Sequence, residues 1–293
     1  MLKTAHMNNL WLGGAGVRLH AVAAGDPDGP AVVLLHGFPE YWYGWRHQIA
    51  PLAAAGFRVI ALDQRGYNLS GKPAKVSDYT TDRLAADVVA CLDDLGLRRA
   101  SIVGHDWGGG IGWTLAALHP DRLMHLVVLN CPHPRAMQVE LESNWGQLIR
   151  SWYILAAQLP GLPERVAEWT DYRLLQWSMQ RSARPGTFTP RDSRRYRRAW
   201  SRPGAMTAMV NWYRAAGRYP LALPEARIRV PTLLMWGQRD AFLDRELAPA
   251  SAAMCDRVRM EVFRTAGHWL LHEEPEQVNQ RIIQFLSSTR ATL

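Results

Sequence analysis

A five-residue stretch limits this chain more than any other feature. Gly104-His105-Asp106-Trp107-Gly108 lies where the apolar run SIV ends and a helical period, GGGIGWTLAALHP, begins. A small residue two places to either side of a central Asp is what a tight strand-to-helix turn needs, because the strained backbone at its tip leaves no room for side chains beside it. A strand is therefore predicted to feed directly into a helix here, with Asp106 exposed at the bend. The competing explanation is that Asp106 only caps the helix, since Asp is a good N-cap and Gly-rich strand-to-helix turns are common.

Around that turn, aliphatic and β-branched runs alternate with helical periods, the pattern of a sheet covered by helices. Strands are predicted at 17–23, 31–36, 58–62, 100–103, 123–130, 232–236 and 258–263. VVLLH and LVVLN are apolar on both faces, as central strands of a mostly parallel sheet should be. Residues 81–95 place Leu84, Val88, Cys91, Leu92 and Leu95 at helical spacing, and Gly96 stops them; residues 275–287 begin on Pro and align Val278, Ile282, Phe285 and Leu286. With 293 residues and 48% hydrophobic content the chain can bury a full core. The expected fold class is α/β, a mostly parallel central sheet flanked by helices.

Between 132 and 224 the strand signal vanishes, and Trp, Tyr, Met and Arg accumulate at helical spacings between breakers such as Pro160, Gly161, Pro185, Gly186, Pro203 and Gly204. An all-helical cap is expected at 132–224, inserted between core segments 1–131 and 225–293.

The net charge of +8 invites a nucleic-acid reading, yet the excess is local, centred on Arg181, Arg184, Arg191, Arg194, Arg195, Arg197, Arg198 and Arg202. A solvated helix face accounts for it, no nucleic-acid motif accompanies it, and no nucleic-acid partner is expected. No stretch reaches the length of a membrane span, and the opening MLKTAHMNNLWLGG lacks the layout of a secretory signal, so a cytoplasmic protein without a membrane partner is expected, as monomer or homodimer. Cys91, Cys131 and Cys255 are far apart and read as reduced thiols. With no metal-ligand spacing and no phosphate-binding glycine loop, neither metal nor cofactor is expected.

A carboxylate at the turn decides the chemistry. A serine there would attack an acyl carbon, whereas a carboxylate attacks an sp3 carbon and becomes an alkyl ester that water can hydrolyse. Downstream, TLLMWGQRDAFLD presents Asp240 after a strand, and VFRTAGHWLL presents His268 after the last one. This order of nucleophile, acid and base is that of α/β-hydrolases, with His268 accepting the proton of water and Asp240 fixing its tautomer. Asp244 is a weaker rival for the acid, and Asn130 is excluded because it is uncharged. In the same fold the backbone N–H groups at Phe38, in His36-Gly37-Phe38-Pro39, and at Trp107 would converge on a developing oxyanion. His20, His47, His119, His125 and His272 read as surface or packing residues, and His105 as support for the elbow.

HGFPEYWYGWRHQ, DQRGYNLSGKP, GHDWGG, SWYILAAQLPGLPE, NWYR and the late GHW occur in order over residues 11–286, and together the chain resembles the α/β-hydrolase-fold epoxide hydrolases of the soluble, bacterial type. The resemblance implies a helical cap, a small lipophilic epoxide and water as reactants, and two cap tyrosines holding the epoxide oxygen. Tyr153, ahead of Gln158-Leu159-Pro160-Gly161, and Tyr213, within Asn211-Trp212-Tyr213-Arg214, match those positions. Without the resemblance nothing selects them over Tyr172 or Tyr196. Haloalkane dehalogenases share the Asp-Trp pair but cradle halide with side-chain N–H donors, where Phe38 offers only backbone; fluoroacetate dehalogenases carry Arg in place of Trp107. A non-catalytic ligand-binding homologue would announce itself by loss of Asp106, Asp240 or His268, and all are present. Phe38, Trp107, Met137, Met179, Met209 and Trp212 are the expected substrate-binding side chains, and Trp145, Trp177 and Met206 are further cap residues able to face a cavity.

Overall fold

The computed structural model describes residues 7–220, 223–224 and 227–288. The first six positions of the N-terminal reading, the residues on both sides of the expected 224–225 boundary (221, 222, 225 and 226) and the end of the last segment (289–293) lie outside the described residues. Among those described, eight strands make one sheet: β1 (Asn8–Gly13), β2 (Arg18–Ala24), β3 (Ala31–Leu35), β4 (Arg58–Leu62), β5 (Ala100–His105), β6 (Leu123–Leu129), β7 (Thr232–Gly237) and β8 (Val258–Phe263). Their spatial order is β1-β2-β4-β3-β5-β6-β7-β8, antiparallel for β1 with β2 and β2 with β4 and parallel for every other pair. β1 is an addition to the seven strands expected. It is an edge strand with only Leu12 buried, so its sequence carries little of the apolar alternation that marks a strand.

β3 is buried at every residue, which its all-apolar run requires, and so is β5, whose Ser101 hydroxyl is matched by His125 Nδ1 at 3.0 Å. Successive side chains alternate between two separate core layers: Val33, Leu35 and Ile102 pack on one face, and Val32, Leu34 and Val103 on the other. Helices α1 (Ile49–Ala54), α2 (Thr81–Asp94) and α3 (Trp107–Leu118) precede β6, and α11 (Leu247–Ala252), α12 (Leu270–Glu273) and α13 (Pro275–Ser288) follow β7. Between β6 and β7 run α4 (Pro134–Ser143), α5 (Trp145–Arg150), α6 (Trp152–Ala157), α7 (Leu162–Trp169), α8 (Arg173–Ser182), α9 (Pro190–Trp200) and α10 (Ala205–Arg218), with no strand among the described residues. No helix among the described residues is long and apolar enough to cross a membrane.

Buried polar contacts tie this helical segment to the sheet. The indole N–H of Trp212, on α10, donates to the Arg65 carbonyl at 3.0 Å, and that of Trp200 donates to the Pro39 carbonyl at 2.5 Å. Arg65 itself grips Asp87 of α2 with two bonds of 2.7 Å and reaches the carbonyls of Ala15 and Asp78. Both members are buried, so losing one strands the other's charge away from water. Asp87→Ala is expected to cost about 3–5 kcal/mol in equilibrium denaturant unfolding, with part of the loss recovered when Arg65→Met is added. A loss below 1 kcal/mol would show that the pair is not a support of this end of the sheet.

Candidate active site

β5 ends at His105 and α3 starts at Trp107, leaving Asp106 alone at the bend with φ 49° and ψ −126°. A non-glycine residue in this region is strained by about 1–3 kcal/mol and persists only where its surroundings over-determine it. The surroundings here are backbone: a Cβ on Gly108 would fall on the Leu35 carbonyl, and one on Gly104 on the Gly108 carbonyl. Asp106 makes no side-chain capping bond to α3, so helix capping gives no account of it. Its Oδ1 instead accepts the Phe38 N–H at 2.8 Å.

The loops after β7 and β8 bring Asp240 and His268 to the same end of the sheet. His268 Nδ1 lies 2.8 Å from Asp240 Oδ2, and His268 Nε2 lies 3.7 Å from Asp106 Oδ2, beyond hydrogen-bond length. Asp240 is fully buried yet saturated: Oδ1 accepts from the N–H groups of Phe242 and Leu243, and Oδ2 also accepts from Asn130 Nδ2 at 2.7 Å. Burial pushes its pKa up, but His268 and these donors outweigh that and hold it below the usual carboxylate value. For His268, burial acts to lower the pKa, and the charge and hydrogen bond of Asp240, with the charge of Asp106, overcome it and raise the group to about 9. Because that value lies above the ordinary 6.5, the imidazolium stabilises the fold fully below about pH 6.5, and the contribution is lost as pH rises through about 9. Asp244 is turned away and pairs with Arg150 at 2.9 Å.

Above Asp106 stand the aromatic residues of the inserted helices. The Tyr213 ring, on α10, meets Phe38 at 5.2 Å, Trp107 at 5.1 Å and Tyr153 of α6 at 5.8 Å, all edge to face. Tyr153 also meets Phe242, which stacks edge-on against His268. Burial first and the negative charge of Asp106 second raise both phenol pKa values, so both remain O–H donors at neutral pH. The spacing of α6 and α10 is held by Arg214, whose guanidinium donates to the carbonyls of Ala157 and Leu159 at 3.0 Å while paired with Glu164, and by Gln158 Nε2, which donates to the Tyr213 carbonyl at 2.9 Å.

A family model described as alpha/beta hydrolase fold matches residues 30–275. The chain belongs to that family. It is 44% identical over 273 residues to the AB hydrolase superfamily protein YfhM of Bacillus subtilis, covering 93% of this chain and 96% of that one. It is 37% identical over 278 residues to Epoxide hydrolase 4 of Mus musculus, covering 93% and 77%. The crystal structure of a Bacillus megaterium epoxide hydrolase in complex with an inhibitor superposes with a TM-score of 0.87 at 30% identity, over 95% of this chain and all of that one. These relatives set the chain within the epoxide-hydrolase branch of the α/β hydrolases.

Of the side chains expected to bind substrate in this hydrolase, Phe38 and Trp107 border Asp106, and Trp212 backs Trp107 at 5.7 Å with its own N–H occupied by Arg65. Met209 is buried in the core and Met179 lines a separate small cavity with Phe188, Tyr196 and Trp200, while Met137 is half-buried against the core. Trp145 and Trp177 face solvent.

The sequence reading passed over a polar cluster behind His268. Glu40, fully buried, accepts from Tyr196 of α9 and from His272 Nε2, and its other oxygen lies 3.5 Å from His105 Nδ1. His105 Nε2 bonds the His268 carbonyl at 2.9 Å. His105 was expected to support the elbow, and it also props the backbone of His268; His272 is a polar partner rather than a surface residue. Asn130, rejected as an acid, orients one. An amide closing the apolar run LVVLN was the available signal, as was the acid directly after His36-Gly37-Phe38-Pro39.

A Cβ on Gly37 would fall on Asp106 itself, 2.8 Å from its Cγ. Gly37→Ala is therefore expected to push the carboxylate off the Phe38 N–H and lower turnover about a hundredfold, with the circular dichroism spectrum unchanged. Full activity in a soluble Gly37→Ala protein would mean that the placement of Asp106 does not limit the reaction.

Proposed function

We propose that this chain hydrolyses epoxides to vicinal diols in two steps, through an alkyl ester on Asp106. The observation that carries the reading is a carboxylate at the bend with its oxygens differently engaged: Oδ1 on the Phe38 N–H at 2.8 Å, and Oδ2 facing His268. The similarity to proteins named epoxide hydrolases supports the substrate class. Residues 132–224 are read as the lid that completes the site over a small lipophilic epoxide.

Oδ2 attacks a ring carbon, the carbon–oxygen bond of the epoxide breaks, and its electron pair passes to the ring oxygen. Tyr153 and Tyr213 donate hydrogen bonds to that oxygen, and these strengthen as charge builds. The ester has no charge, so one of the influences that raises His268 disappears as it forms. The imidazolium gives up its proton as the ring-opened alkoxide takes one up, and the neutral imidazole can then accept a proton from water. Hydroxide adds to Cγ of Asp106 and the new charge falls on Oδ1, where the Phe38 N–H already sits and the Trp107 N–H is the second donor. Collapse breaks the bond from Cγ to the ester oxygen, which leaves with the proton of the added hydroxyl; the diol departs, the carboxylate returns carrying one oxygen from water, and His268 is again protonated.

His268→Gln is expected to open the ring once and stall, so intact-mass and peptide analysis after incubation with a styrene-type epoxide should find the added substrate mass on Asp106. An unmodified protein that nonetheless binds the epoxide would count against the ester. In the same background, adding Tyr153→Phe and Tyr213→Phe should slow adduct formation by about a hundredfold or more. Unchanged alkylation would remove the phenols from the mechanism.

The two steps should also differ in pH dependence. Single-turnover hydrolysis of the ester is expected to rise with pH on an apparent pKa below the value of about 9 in the resting protein, measured by NMR of His268. Equal values would show that the charge of Asp106 does not tune the base.

A further inference from the structure

Helices α5 to α8 leave an unusual surface uncovered. Trp145, Ile149, Trp152 and Leu155 recur every three or four residues along α5 and α6 and are 66–79% exposed. Trp169 of α7 and Trp177 of α8, on the helices packed next in line, are 87% and 60% exposed. Single exposed apolar residues are ordinary, but a run of large ones along consecutive packed helices marks an interaction surface.

The charges around this surface are one-sided. Arg165, Arg173 and Arg181 share α7 and α8 with the tryptophans, are exposed, and have no ion pair among the described residues. The neighbouring α9, joined to α8 by the Gln180–Ser193 hydrogen bond, adds exposed Arg191, Arg194 and Arg198. The exposed acids between the start of α4 and the end of α9 are Glu142, Glu168 and Asp171, and Asp171, in the turn between α7 and α8, is already paired with Arg197. A second copy docked face to face would set these arginines against their own kind with few acids to answer them. Indole rings flanked by guanidinium groups suit the headgroup layer of an anionic bilayer, where the ring enters the acyl boundary and the cation meets phosphate.

We propose that the outer face of α5 to α8, rimmed by the arginines of α7 to α9, docks this protein on anionic lipid surfaces. The expectation of no membrane partner rested on the absence of a span, and a peripheral contact requires none. This surface stands apart from the catalytic reading and does not depend on it.

The test is co-sedimentation of the full chain with vesicles of phosphatidylcholine alone or mixed with phosphatidylglycerol. Binding to the mixed vesicles should exceed that to neutral ones by about tenfold or more, weaken as salt rises, and shift indole emission to the blue. Trp169→Glu with Trp177→Glu should lose that binding while retaining turnover of a water-soluble epoxide. Because these replacements could perturb folding, Arg165→Gln, Arg173→Gln and Arg181→Gln form a second set, expected to abolish the preference for anionic lipid with every tryptophan in place. Absence from both vesicle pellets, or equal binding to both, overturns the proposal. So does a dimer in sedimentation velocity that the two glutamates dissolve, since the face would then belong to a second copy.

Discussion

One buried imidazole faces two carboxylates, and most of the site is arranged around that imbalance. His268 is almost wholly removed from water, which alone would keep it neutral, yet it is held charged by Asp240 at 2.8 Å and by Asp106 beyond. Three N–H groups besides the imidazole satisfy the oxygens of Asp240, and together with the charge and hydrogen bond of His268, the larger influences, they hold it below the usual carboxylate value against burial. Asp106 is the variable member. In the proposed mechanism its charge is taken away by bond formation, and the proton affinity of the ring follows.

The same imidazole is supported from behind by a set of groups that the reaction never touches. Its carbonyl is held by His105, which sits beside the buried carboxylate of Glu40, and Glu40 is in turn gripped by His272 and by Tyr196 of the inserted helices. Burial drives His272 down to about 4 despite Glu40, so this neighbour adds no positive charge at neutral pH. Glu40 is kept well below the usual carboxylate range by its histidine partners against the opposing effect of burial. A polar cluster of this kind is costly if one member is missing and stiff when all are present.

How much could be read from the sequence depended on the range of the interaction. The elbow was legible because its constraint is local: glycines two places from Asp106 are needed by the backbone carbonyls that crowd them. The central strands were legible because burial on both faces leaves mostly apolar residues, in β3 nothing else, and the edge strand β1 was not, since only Leu12 is inside. Asp240 and His268 could be placed by chain order. The phenols could not be chosen by periodicity, because Tyr153, Tyr172, Tyr196 and Tyr213 all lie in one aromatic-rich stretch, and only family resemblance separated them. Tyr196 and Glu40 meet across 156 positions of chain, a distance at which spacing carries no signal.

Arg214 has a consequence for how the substrate range of this fold can change. It fastens α6 to α10 through the carbonyl oxygens of Ala157 and Leu159 and the carboxylate of Glu164, and Gln158 likewise reaches a main-chain oxygen. Apart from Glu164 and Asn211, whose Oδ1 accepts from the guanidinium at 3.2 Å, the clasp rests on main-chain oxygens. The spacing of α6 and α10, and with it that of Tyr153 and Tyr213, is thus held largely by main-chain oxygens. Side chains elsewhere on α6 and α10 can therefore be exchanged without touching the bonds that space the two phenols.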